Sequence, residues 1–284
     1  MEHVIKLIKG KMEEHTKVSL IAVTLIALIG LLFGIYYFLI REKPQPVKPP
    51  IKIEKKAEKI SEKKFIEKKE KIPELIGIDL NNSDNKIREL AKRISSHPLF
   101  ISWLNQEDLI RRFTVVVDNI ANGESPRPHL QFLAPKGKFK AIKKKGKIFI
   151  SPESYRRYNF IADVIASLDT KVCAEIYRIV KPLIQQAYKE LGYPEKDFDE
   201  TLKEAIIELL KTPIIEGEIE LREKVVTYKI ADPKLEELSP AQKHLLRMGT
   251  ENVLKIQDKL RDLALELGIS EDELPEPIIY STDI

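Results

Sequence analysis

The chain has 284 residues, 43% of them hydrophobic, so it is too apolar to be disordered throughout. A single cysteine, Cys173, excludes an internal disulfide, a four-cysteine zinc site and iron–sulfur ligation. The +4 charge belongs to residues 1–72, with 16 basic and 9 acidic side chains; the 32 basic and 35 acidic that follow make the rest net negative, which excludes a general nucleic-acid binder.

In chain order, an N-terminal tail of residues 1–17 precedes 23 uncharged positions, 18–40, more than the roughly 20 needed to cross a bilayer core. The segment closes on Tyr36, Tyr37, Phe38, Leu39 and Ile40 rather than on small residues, so it is read as an uncleaved transmembrane signal anchor. Flanking charges oppose the architecture. Lys6, Lys9, Lys11 and Lys17 precede the span, and seven basic residues from Arg41 to Lys59 follow it, a bias that places the C-terminal side inside. Long domains translocate largely regardless of charge, and the expectation adopted is an inner-membrane, single-pass protein with its domain periplasmic or otherwise extracytoplasmic. Residues 41–72 read as a linker: Pro44, Pro46, Pro49 and Pro50 favour an extended spacer, and 13 of the 18 residues at 54–71 are charged without an apolar seam for a coiled coil.

The remaining residues, 73–284, are expected to form a mainly α (α+β) soluble domain with short β-hairpins and an acidic C-terminal tail. Ser83 is placed to cap a helix to Ser95, with Ile87, Leu90, Ala91 and Ile94 inward. A second helix is predicted over Gln106 to Ala121, with Leu109, Phe113, Val116 and Ile120 aligned and Gly123 ending it. Phe139 to Ile142 and Lys147 to Ile150 read as a hairpin around Lys144, Lys145 and Gly146, and Ser151–Pro152 starts a helix. Thr170 to Leu191 is the longest helical pattern, with a bend expected at Pro182, and Leu202 to Leu210 continues in helix. Val225 to Ile230 reads as a strand that pairs with Ile219 to Leu221; Ser239–Pro240 starts a helix to Met248, and Thr250 caps a last one through Leu267.

Several strings resemble one family. His97-Pro98-Leu99, Trp103-Leu104, Asp108-Leu109-Ile110-Arg111-Arg112-Phe113 and Val117-Asp118-Asn119 are similar to the opening of the bacterial domain of unknown function 3014, and Tyr155-Arg156-Arg157-Tyr158, Ala187 to Pro194, Ala231-Asp232-Pro233 and Leu238 to Gly249 follow in order. The resemblance covers residues 73 to 265. It implies an N-terminal span, a proline-containing linker and an envelope location, and it carries no assigned activity. The lysine-rich hairpin departs from the family pattern, which is less basic there.

Two groups of residues are candidates for ligand binding. Arg111, Arg112, Asp118 and Asn119 lie on the second helix, where a guanidinium can grip a carboxylate or phosphate, or where internal ion pairs account for the same residues. Lys143, Lys144 and Lys145, within seven lysines between Lys136 and Lys147, sit near Tyr155, Arg156, Arg157 and Tyr158: cations beside rings that suit an anionic lipid or wall polymer, or a solvated face, or a dock for the acidic tail. The five histidines lack metal-ligand spacing, and Cys173 on an apolar helix face reads as core. His97 reads as part of a helix-ending turn. No phosphate loop or nucleophile elbow is present, and no catalytic residue, cofactor or metal is assigned. The reading is a membrane-anchored binding or scaffolding module for a protein or anionic envelope component; a tethered, hydrolase-like enzyme with unrecognised acid–base residues is the alternative.

Overall fold

The computed structural model describes residues 78–225 and 227–282. The tail, the expected span at 18–40 and the linker at 41–72 lie outside the described residues, and no helix among those described is long and apolar enough to cross a membrane.

The domain is mainly helical, with short strands. Its first helix, α1 (Asp84–Ala91), ends four residues earlier than expected and buries Ile87, Leu90 and Ala91. A six-residue helix, α2 (Pro98–Trp103), follows where no helix was expected, and His97 begins it rather than ending another: its Nδ1 accepts the Leu99 N–H at 3.2 Å. Next comes α3 (Leu109–Ala121), which starts three residues later than its sequence pattern. Asp108 just before it is left-handed, with φ 55°, and the Asp84 carboxylate accepts the N–H groups of both Asp108 and Leu109. Two of the four orphan donors at this helix start are thus satisfied by a side chain from α1.

The inner face of α3 is also rotated by one residue. Ile110, Thr114 and Val117 are buried, while Leu109 and Ile120 flank them and Phe113 is largely exposed. Thr114 is tolerated inside because its hydroxyl donates to the Ile110 carbonyl at 2.8 Å.

Strands β1 (Ala141–Lys144) and β2 (Lys147–Ile150) form the expected hairpin, shifted by two residues on its first strand. The connection is two residues, Lys145 at φ 49° and Gly146 at φ 79°, the left-handed pair that a type I′ turn requires. Lys143 and Lys144 are therefore strand residues. The chain continues through α4 (Pro152–Arg156), capped by Ser151, then α5 (Asn159–Ala166) and α6 (Thr170–Glu190). The last of these runs unbroken through Pro182, and Asp169 caps it. α7 (Phe198–Leu210) precedes β3 (Ile214–Glu216), β4 (Glu220–Glu223), β5 (Tyr228–Ile230) and the single-turn α8 (Pro233–Glu236). α9 (Pro240–Leu246) opens with a reciprocal Ser239–Gln242 capping box; α10 (Thr250–Leu267) and β6 (Ile279–Ser281) complete the described order.

Ile176, Val180, Leu183, Ile184 and Ala187 recur at three- and four-residue spacing on α6, and that stripe packs against α3 and α7 in the main core. Tyr188 and Phe198 meet edge to face at 5.2 Å, both fully buried, and the Tyr188 hydroxyl pairs with Thr201 at 2.8 Å. The hairpins β1–β2 and β4–β5 join through β2 and β4 into a four-stranded antiparallel sheet of order β1-β2-β4-β5. Ile150, Ile219, Leu221 and Ile230 form its apolar face, covered by Leu235 and Leu246. A parallel pair, β3 with β6, was not expected.

The last long helix is begun by Gly249, not Thr250. Gly249 has φ 86° and ψ 156°, and a Cβ there would come within 2.6 Å of the Tyr155 ring. Thr250 is the first helical residue, and its hydroxyl donates to the Ile215 carbonyl.

Candidate functional site

Alternation along the strands sorts the sheet residues. Ile148, Ile150 and Leu221 turn to the apolar cluster, while Lys147, Phe149, Glu220 and Arg222 occupy the other face. That face borders a cleft of about 620 Å³, lined by Lys147, Phe149, Glu220, Arg222, Lys234 and Tyr280 among others. Lys147 donates to Glu220 at 2.8 Å, and the Tyr280 hydroxyl donates to Asp232 at 2.5 Å, holding that carboxyl below its usual range.

The seven lysines between Lys136 and Lys147 fall into two sets. Lys144 donates to Glu218 at 2.6 Å, Lys147 to Glu220, and Lys140 to Glu153. Pairs this exposed contribute about 0–1 kcal/mol, so their main effect is to cancel charge. Lys136, Lys138, Lys143 and Lys145 are exposed and make no ion pair with any described residue. These four, with exposed Arg156, constitute the unneutralised part of the patch. The acidic tail docks elsewhere: Glu273 pairs with Lys203 and Glu271 with Arg261.

The aromatic half of the expected site is divided. Tyr155 packs on the sheet cluster and against Gly249, and burial, then the charge of Glu218, pushes its hydroxyl pKa far up. Tyr158 packs on the small cluster of Ala162, Leu245 and Val253. Arg157 lies over the Tyr158 ring at 5.5 Å and donates to the Gly137 carbonyl at 2.9 Å, fastening the segment before β1 to α4. Arg157 is therefore part of the scaffold that presents the lysines.

On α3, Arg111 is consumed by partners: its Nε donates to Glu190 at 2.8 Å and its Nη2 to Asn81 at 2.7 Å, with Asp108 at 3.5 Å. The Arg112 Nε donates to the Glu107 carbonyl at 2.7 Å. Burial raises the Asp118 carboxyl, opposed by Lys196, Asn122 and Tyr193. Asn119 bonds back to the Val115 carbonyl. No hydrogen bond or ion pair joins this quartet to the hairpin among the described residues, so the two candidate groups are separate.

The acids Glu153, Glu218 and Glu220, which decide which lysines have a counter-charge, were not singled out from sequence. Glu218 and Glu220 lie more than 70 positions from their lysines. Cys173 is half-buried, and no group of three or more metal-ligating side chains comes together among the described residues.

No curated protein and no solved structure matches this chain. A family model does, over residues 109–264, which run from the start of α3 into α10 and include the hairpin, both sheet-forming regions up to α10 and the α6–α7 core. The chain belongs to the family described as Protein of unknown function (DUF3014).

Proposed function

We propose that this chain is a single-pass envelope protein of the inner membrane, anchored by residues 18–40, whose extracytoplasmic domain binds an anionic envelope component through the β1–β2 hairpin. The observation that carries the reading is the set of four exposed lysines, Lys136, Lys138, Lys143 and Lys145, left without acids while their neighbours are neutralised. The type I′ turn holds Lys143 and Lys145 at the tip of a paired strand, so the cations are presented with little backbone entropy left to lose. The long uncharged segment and the proline-containing linker support a tether that carries the domain away from the bilayer.

The test uses the full chain in non-ionic detergent, with retention measured on immobilised anionic wall polymer across salt concentrations. A lysine near an anionic surface contributes about 1 kcal/mol, so K143Q/K145Q should weaken binding roughly thirtyfold at low salt. K144Q/K147Q should change it less, because those charges are already paired. Equal or salt-insensitive retention of all three proteins would refute the patch. Protease added to intact spheroplasts should remove the domain; protection until permeabilisation would refute the topology.

A further inference from the structure

The loop after α3 is fastened to α9. The Ala241 N–H donates to the Gly123 carbonyl at 3.0 Å, Pro126 is buried, and Ser125 between them meets His244 of α9, Oγ to Nδ1, at 3.2 Å. Arg127 opens a short 3-10 turn two residues beyond Ser125, and Arg247 lies three residues beyond His244 on the same helix face.

Most of the other described arginines are engaged. Arg88, Arg93, Arg111 and Arg261 pair with acids, and Arg112, Arg157 and Arg178 donate to backbone carbonyls. Arg127 and Arg247, like Arg156 and Arg222, do neither among the described residues; all four are exposed, and Arg127 and Arg247 are the two that act on His244. Burial first, then Arg247 and Arg127, depress the imidazole pKa. Glu208 on the neighbouring α7 reaches toward Gly123, and Glu124 beside Ser125 is exposed to screening solvent; the charges acting on His244 are the two guanidinium groups.

We propose that Ser125, Arg127, His244 and Arg247 form a binding site for a phosphate group. Two guanidinium groups, a hydroxyl and an imidazole supply the donors that a tetrahedral oxyanion accepts, and neither guanidinium group has an acceptor among the described residues. A bound phosphate reverses the field at His244, so the imidazole takes up a proton on binding and affinity increases as pH falls from 7.5 toward 6. None of the hairpin lysines belongs to the site, so its fate is independent of the hairpin's.

The experiment uses the full chain in non-ionic micelles with ¹³C-labelled histidine, the His244 signal being assigned with H244Q. Inorganic phosphate is titrated in one arm and phosphatidylglycerol bicelles in another, with acetate at matched ionic strength as control. Either phosphate probe should raise the His244 pKa; a response to the free ion identifies a soluble phosphate ester as ligand, and a response to bicelles alone identifies a lipid headgroup. R127Q and R247Q should each weaken the response about tenfold and, without ligand, raise the His244 pKa, while K143Q/K145Q leaves both unchanged. An equal response to acetate, no response to either phosphate probe, or full binding by both arginine variants would overturn the site.

Discussion

Asp84 caps a helix to which it does not belong: its Oδ1 accepts the Leu109 N–H at 2.9 Å, and its Oδ2 accepts that of Asp108 at 2.8 Å. Arg88, one turn further along α1, holds the same carboxylate at 3.4 Å and donates to the Leu104 and Gln106 carbonyls. The start of α3 is therefore built by α1. D84A should cost about 1–2 kcal/mol in urea unfolding, as for loss of a helix cap, and D84N, which keeps one acceptor, should fall between the two. Unchanged stability of D84A would mean that water replaces the carboxylate.

Gly249 and Gly146 offer a paired test of glycine strain. Gly249 occupies backbone space that is nearly glycine-only, and an added methyl meets Tyr155 side-chain atoms at 2.6–2.8 Å. G249A should cost about 3 kcal/mol or more. At Gly146 nothing lies within 4 Å of the added carbon, so G146A carries only the turn strain, about 1 kcal/mol. Thermal or urea midpoints of the two variants should differ in that order.

His244 makes stability depend on pH. Its folded pKa is depressed, so as pH falls through the ordinary histidine range, about 6.5, the unfolded chain binds a proton that the folded chain takes up less readily. Stability therefore declines below that point and is independent of this group above it. H244N should flatten the slope between pH 7 and 5 in phosphate-free buffer, as read by urea midpoints at each pH. A slope retained in full would assign it to other groups.

Cys173 should be a slow thiol. Burial, then the charge of Asp169, pushes its pKa up to about 11. At pH 8 a disulfide reagent such as DTNB should label it about a hundredfold more slowly than a free cysteine, and at the free rate once the chain is unfolded in urea. Free-rate labelling of the native chain would contradict this burial.

The helices whose apolar residues repeat at helical spacing were legible: Ile87, Leu90 and Ala91 lie inward as the pattern requires, and α6 and α9 sit close to their expected places. Legibility failed where a polar residue occupies the core or where the partner is remote. Thr114 rotated the apparent face of α3, because its back-bond to Ile110 hides a hydroxyl that a hydrophobic pattern counts as outward. Helix α2 is too short to show a period, and all six of its residues retain solvent contact. The β4–β5 pairing was read from β-branched residues close in sequence, whereas β3 and β6 are separated by α8, α9 and α10 and carry no local signal for pairing.

The candidate site was legible in composition and not in charge. Seven lysines mark the hairpin, but which of them are left without a counter-charge depends on Glu218, Glu220 and Glu153, brought there by the sheet and by α4. Ser125 and His244 are 119 positions apart, a separation that no motif spans.

The parallel pairing of β3 with β6 governs the order in which the domain acquires its shape during synthesis. Glu216 accepts a hydrogen bond from Ser281, 65 positions later, so β3 has no β6 partner until the three helices between them have been made. Closing so long a loop costs entropy that local helix pairing does not, which places this latch among the last contacts to form. Until then Ile214, Ile215 and Glu216 expose one strand edge to any other nascent chain, the condition under which a shared strand leads to swapped dimers or aggregates.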